Sequence, residues 1–139
     1  MNNEGRNMNL ILFIHDDAFI KGKNLKKIID QNFKEHDIQS LQTFNSFKAR
    51  LKQTYNYNNE IFILFADSKS RLSKLTNLID LLESKRIVLI IPDDSRATVS
   101  LALQFFPRYF TSINDTYADL CAVLNKMTHQ KKIKTNQLK

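Results

Sequence analysis

Three short segments of this sequence consist almost entirely of apolar residues, and they constrain the fold more than any other feature. They are NLILFI (9–14), EIFILFA (60–66) and RIVLII (86–91). Strands of this kind are stable only when both faces are covered, as in a parallel sheet with helices on either side. Two further strand-like segments complete a set of five: RYFTSI (108–113) and DIQSLQ (37–42), whose polar–apolar alternation is typical of an edge strand.

Between successive strands, and again after the last one, apolar residues recur at helical spacing. The spacing predicts five helices with the apolar stripes Leu25, Ile28, Ile29 and Phe33; Phe44, Phe47, Leu51 and Tyr55; Leu72, Leu75, Leu78, Ile79 and Leu82; Val99, Ala102, Leu103 and Phe106; and Tyr117, Leu120, Leu124 and Met127. Five strands that alternate with five helices predict an α/β fold, a (βα)5 doubly wound, five-stranded parallel sheet.

The length and composition indicate one globular domain. The chain has 139 residues, of which 42% are apolar and 25% charged, and we place the domain at residues 1–130. The longest apolar runs have five or six residues, too few to span a membrane, and the polar start lacks the apolar core of a signal peptide. We therefore expect a cytoplasmic protein with no membrane segment. The single cysteine, Cys121, excludes an internal disulfide and lies at helical spacing, where we expect it in the core.

The net charge of +7 raises the question of nucleic-acid binding. Residues 131–139 contain four lysines and no acid, and five more lysines lie between Lys21 and Lys34. We interpret the first group as a basic, disordered tail and the second as a solvated helix face. No aromatic residue lies within the tail, as a surface for single-stranded nucleic acid would require. A basic nucleic-acid-associated module remains a second alternative, which would bind with steep salt dependence.

Motifs of enzymes that bind phosphates or use a serine nucleophile are absent. The sequence has no GxGxxG, GxxxxGK[ST] or GxSxG, and its two glycines are too few for a phosphate-binding loop. We therefore expect no enzymatic activity.

Acidic residues follow all three apolar strands, and Asp93 and Asp94 come after the fourth strand of the chain. Asp16 and Asp17 come after the first strand and Asp67 after the third, at the ends where sites form in a doubly wound sheet. In a (βα)5 chain this pattern resembles the receiver domain of bacterial two-component response regulators, with the CheY-like, flavodoxin-like fold, over residues 8 to about 129. The resemblance implies that Asp16, Asp17 and Asp67 hold Mg²⁺ and that Asp67 accepts a phosphoryl group.

Other positions depart from the receiver pattern. Ile91 or Pro92 stands where a hydroxyl residue ends strand four, Ser112 stands where a lysine ends strand five, and Ala66 is an alternative occupant of the phosphoacceptor position. A phosphoryl group adds about −1.5 to −2 charges, and without the lysine few positive charges would offset them. Without the hydroxyl, no side chain would couple the phosphoryl group to a change of conformation. We interpret the chain as a pseudo-receiver, with no cofactor or with weakly bound Mg²⁺. An atypical receiver that is phosphorylated on Asp67 with Mg²⁺ is the main alternative.

A simpler interpretation of the three aspartates also remains open. One carboxylate of Asp16 and Asp17 would cap the following helix while the other faces solvent, and Asp67 would cap the helix after strand three.

A pseudo-receiver would act through a protein partner, either another signalling protein or a second copy of itself. The segment QFFPRYF (104–110) is the most apolar stretch outside the clear strands. We expect Phe105, Phe106, Arg108 and Tyr109 to form the contact surface, because aromatic residues dominate the energy of protein interfaces.

Overall fold

The computed structural model describes residues 8–53 and 59–137, and their five strands form one parallel sheet in the order β2-β1-β3-β4-β5. The strands are β1 (Asn9–Ile14), β2 (Asp37–Leu41), β3 (Glu60–Phe65), β4 (Arg86–Ile91) and β5 (Tyr109–Ser112). The predicted fold class is therefore confirmed, and each strand bound lies within one residue of its prediction. The apolar runs were sufficient because a fully covered strand has no room for polar residues.

Six α-helices are found in the described ranges. They are α1 (Phe19–Asn32), α2 (Phe44–Leu51), α3 (Lys69–Leu75), α4 (Ile79–Leu82), α5 (Arg96–Leu103) and α6 (Ala118–Gln137), and short 3-10 turns, Asp16–Ala18 and Thr76–Leu78, precede α1 and α4. Within these ranges, no helix has both the length and the apolar character to cross a membrane.

Two helix predictions differ from the structure, and a third lies outside it. The stripe from Leu72 to Leu82 is not one helix: Thr76 and Asn77, both weak helix formers, lie in the 3-10 turn between α3 and α4. Helix α6 continues to Gln137, into the segment 131–139 for which the sequence predicted a disordered tail. Tyr55, the last residue of the second predicted stripe, lies outside the described residues.

The helices cover both faces of the sheet. Helices α1 and α6 pack on one face, against Leu10, Leu12 and Ile14 of β1 and their neighbours in β3 and β4. The helices from α2 to α5 pack on the other face, against the alternate residues of the same strands. Cys121, which was expected in the core, is half-buried and packs against its edge, and burial raises the pKa of its thiol.

Close packing of α1 on β1 fixes the turn that carries Asp16 and Asp17. A Cβ atom on Gly22 would lie 2.7 Å from Cγ2 of Ile14, so only glycine allows the helix to approach the strand this closely.

A buried ion pair joins α2 to the start of β3. Nη2 of Arg50 donates to Oε2 of Glu60 at 2.6 Å, and the side chains are 9% and 3% exposed. Nε of Arg50 also donates to Oε1 of Gln39 at 2.9 Å. These bonds allow an otherwise apolar strand to begin with a carboxylate, since an unpaired buried charge costs several kcal/mol.

Candidate functional site

The carboxyl ends of the strands meet at one edge of the sheet, which we call the carboxyl edge. Ile91 pairs with Ser112 in the β4–β5 register, and the backbone N–H of Ala66 donates to the carbonyl of Ile90 at 2.8 Å. Continuing these ladders places Ala66, Ile91 and Ser112 in the last row of the sheet, with Asp67 one residue beyond it. The hydroxyl of Ser112 accepts a 3.3 Å hydrogen bond from the backbone of Asn114.

Asp67 is held by a basic residue of the next helix. Its Oδ1 accepts a 2.7 Å hydrogen bond from Nε of Arg71, one helical turn further along the chain, and the two side chains are only 14% and 18% exposed. The cap of α3 is Ser68, whose hydroxyl accepts from the backbone N–H of Arg71 at 3.1 Å. The expectation that Asp67 caps this helix is therefore wrong, because the next residue does so.

Asp16 and Asp17 both lie exposed in the 3-10 turn before α1. The backbone N–H of Asp17 donates to Nδ1 of His15 at 3.1 Å, so the histidine caps this turn. Ala18 occupies the cap position of α1 and makes no side-chain hydrogen bond. Neither carboxylate has the capping role that the sequence suggested, and the sequence analysis missed His15 because histidine is not a preferred cap residue.

The three predicted Mg²⁺ ligands do not form a cluster. In residues 8–53 and 59–137, no three or more His, Cys, Asp or Glu side chains are placed to hold a metal ion. The carboxylate of Asp67 has a guanidinium as its partner, and Asp16 and Asp17 face solvent. The described residues therefore offer no preformed cluster of three carboxylates for Mg²⁺ at this edge.

Acidic residues near the ends of β4 and β5 form turns. Oδ1 of Asp93 accepts from the backbone N–H of Ser95 at 2.9 Å, and the hydrogen bonds from Ser95 lower the pKa of Asp93. Asp115 accepts from the hydroxyl of Thr111 and from the backbone of Thr116, and these bonds lower the pKa of Asp115. Both carboxylates thus hold local backbone structure at the carboxyl edge.

A cavity of about 280 Å³ lies at the same edge, between the end of β1 and helices α2 and α3. Phe13 and Phe44 form part of its wall, and Arg71 and Lys74 belong to its lining. The sequence analysis missed this cavity, because its walls come from three segments that are distant along the chain.

The predicted contact surface lies at the opposite, amino edge of the sheet. Phe106 is 87% exposed and has a left-handed backbone with φ of 50°. Arg108 is exposed, and Tyr109 is half-buried, which raises the pKa of its phenol. Phe105 is only 5% exposed and packs in the core, so its placement on the surface was wrong. Beside Phe106 lies a groove of about 400 Å³.

Comparison with known proteins identifies the fold. No protein-family model and no curated protein matches the sequence. A response regulator from Colwellia psychrerythraea is similar in structure, with a TM-score of 0.64 and 18% identity over 88% of this chain and 98% of its own. A response regulator receiver domain protein (CheY-like) from Methanospirillum hungatei JF-1 has a TM-score of 0.54 and 13% identity over 92% of this chain and 98% of its own.

A third structure is a response regulator protein from Burkholderia pseudomallei with a phosphorylated aspartic acid, calcium ion and citrate. Its TM-score is 0.56, with 12% identity over 93% of this chain and 73% of its own. At these identities the likeness establishes the fold. This chain has the fold of CheY-like receiver domains.

The pairing of Asp67 predicts its effect on stability. Asp67→Asn should lower the free energy of unfolding by about 1 kcal/mol, because the partly buried guanidinium of Arg71 loses its charged partner. Asp16→Asn is the matched control: it removes the same charge from an exposed position and should change stability by less than about 0.5 kcal/mol. Urea denaturation measures both. If both variants were stabilised instead, the carboxylates would repel one another and the cluster expected from the sequence would exist.

Proposed function

We propose that this protein is a receiver-like signalling domain of bacterial signal transduction that acts in the cytoplasm by protein–protein contact, without phosphotransfer and without enzymatic activity. The receiver fold supports the class of protein. The observation that carries the proposal is the 2.7 Å ion pair between Asp67 and Arg71, which occupies the carboxylate expected to accept a phosphoryl group.

Phosphorylation of Asp67 would require more positive charge than this edge of the sheet provides. A carboxylate that becomes an acyl phosphate replaces one negative charge by about two. Arg71 is the basic residue paired with Asp67, Ser112 stands at the lysine position, and no carboxylate cluster accompanies Asp67 in the described ranges. The phosphoryl group would therefore lack both the metal ion and the second cation that stabilise it in a receiver.

The same edge also lacks a side chain that could couple a phosphoryl group to a change of shape. Ile91, which is 1% exposed, stands beside Ser112 where a mobile hydroxyl residue would be needed. A signal requires a group that interacts differently with two states. Without one, the sheet holds one arrangement and its contacts are constitutive.

A second copy of the chain is the partner that the Phe106 groove fits best. The groove contains two acidic residues, Asp80 and Glu83, and two basic residues, Lys85 and Arg108, so a two-fold arrangement can place an acidic residue of one copy against a basic residue of the other. A bulky residue in the left-handed region costs about 1–2 kcal/mol. The strained backbone of Phe106 holds its ring exposed to solvent. An exposed aromatic ring in a fixed position is suited to anchor a partner.

Intact-mass spectrometry tests the absence of phosphotransfer. After incubation with acetyl phosphate and Mg²⁺, the protein should show no adduct of about 80 Da, the mass of one phosphoryl group. A phosphorylatable receiver in the same reaction serves as the positive control. An adduct on the wild-type protein that disappears in Asp67→Asn would instead establish the alternative, an atypical receiver phosphorylated on Asp67.

Sedimentation velocity tests the self-association. The wild-type protein should form a dimer that buries about 1,200 Å² or more in total, and Phe106→Ser should make it monomeric. Leu103→Ser is the control, because Leu103 is 52% exposed at the end of α5, three residues before Phe106, but does not line the groove. A wild-type protein that is still monomeric at about 0.5 mM, or equal dissociation by both variants, would contradict the assignment of this surface.

A further inference from the structure

The cavity at the carboxyl edge combines aromatic walls with hydrogen-bond donors. Phe13, Phe44 and Leu75 supply its apolar surface. The ring of Phe13 is fixed, since it stacks on Phe47 with centroids 4.5 Å apart and an angle of 10° between the planes. A preformed aromatic wall suits a flat apolar ligand, because no side chain has to be ordered when the ligand binds.

The polar residues of this cavity favour an anion. Lys74 and Arg71 bring two positive charges, and among residues 8–53 and 59–137 no carboxylate belongs to the lining. Nε of Arg71 is used by Asp67, so the ion pair is neutral as a unit and Lys74 leaves a net charge of about one. His15 accepts the backbone N–H of Asp17 at Nδ1, which leaves Nε2 as the protonated nitrogen and a second donor.

The position of the cavity in the sheet is independent support. In a parallel sheet with the order β2-β1-β3-β4-β5, the order reverses between β1 and β3. Ligands of doubly wound sheets bind outside the carboxyl ends of the strands at this reversal. Phe13 and His15 come from the end of β1, and Arg71 follows the end of β3, so the cavity lies at that point.

We infer that this cavity binds a small aromatic carboxylate. Its volume of about 280 Å³ lies just below the range of about 300–1,000 Å³ that drug-sized ligands occupy, which suits one ring system and one acidic group. The ring packs against Phe44, above the edge of the buried Phe13, and the carboxylate lies against the ammonium of Lys74. This site is at the opposite edge of the sheet from Phe106 and does not depend on the proposed self-association.

Titration with three probes, followed by ¹⁵N–¹H correlation spectra, tests the inference. Indole-3-acetate has the ring and the carboxylate, indole has only the ring, and acetate has only the carboxylate. Indole-3-acetate should bind with a dissociation constant on the order of 0.1–1 mM and at least about ten-fold more tightly than either fragment. The shifted amides should be those of Phe44, Leu75 and Asn77, around the cavity.

Two lysine variants on the same helix separate a built site from general attraction to a basic protein. Lys74→Gln should weaken the binding of indole-3-acetate about ten-fold, since it removes a charge-assisted hydrogen bond. Lys69→Gln removes the same charge from an exposed position outside the cavity and should leave the affinity unchanged. Equal effects of the two variants, equal binding of indole and indole-3-acetate, shifts elsewhere on the protein, or no binding at about 5 mM would each overturn the assignment.

Discussion

Coverage of both faces of the sheet is the constraint on which the rest of this structure depends. Every residue of β3 is buried, and β1 and β4 are buried except at their first residues. A charge inside such strands is stable only with a partner, as Glu60 is with Arg50. Polar groups are therefore confined to the strand ends, and the chemistry available to the protein is decided by the few residues at the carboxyl edge and by the helices that begin there.

At that edge, Asp67 is paired with a guanidinium. Three carboxylates brought close together would repel one another and would require a cation. Here Arg71 forms an ion pair with Asp67, while Asp16 and Asp17 are exposed to solvent. The same arginine lines the neighbouring cavity. A ligand bound there would thus contact the residue that pairs with Asp67, which joins the proposed binding site to the ion pair at the carboxyl edge.

The sequence predicted the strands well and the site less well, for physical reasons. The apolar runs depend only on burial, which a local pattern records. The Asp67–Arg71 pair was also visible in principle, because the two residues are four apart at the start of a helix. The cavity was not visible, since its walls meet only after folding. For the neighbours Phe105 and Phe106, the way the chain leaves α5 decides which ring is buried, and composition alone cannot give that answer.

The response of the carboxyl edge to a phosphoryl mimic tests the central claim most directly. Beryllium trifluoride binds a phosphoacceptor carboxylate in the presence of Mg²⁺ and imitates the phosphoryl group. We expect the Arg71–Asp67 ion pair to persist and the carboxyl edge to keep one conformation. The ¹⁵N–¹H correlation spectra recorded with and without Mg²⁺ and beryllium trifluoride should then coincide for residues from Ala66 to Arg71 and from Ile90 to Ile113. Shifts that spread from Asp67 to the ends of β4 and β5, and that vanish in Asp67→Asn, would contradict the account.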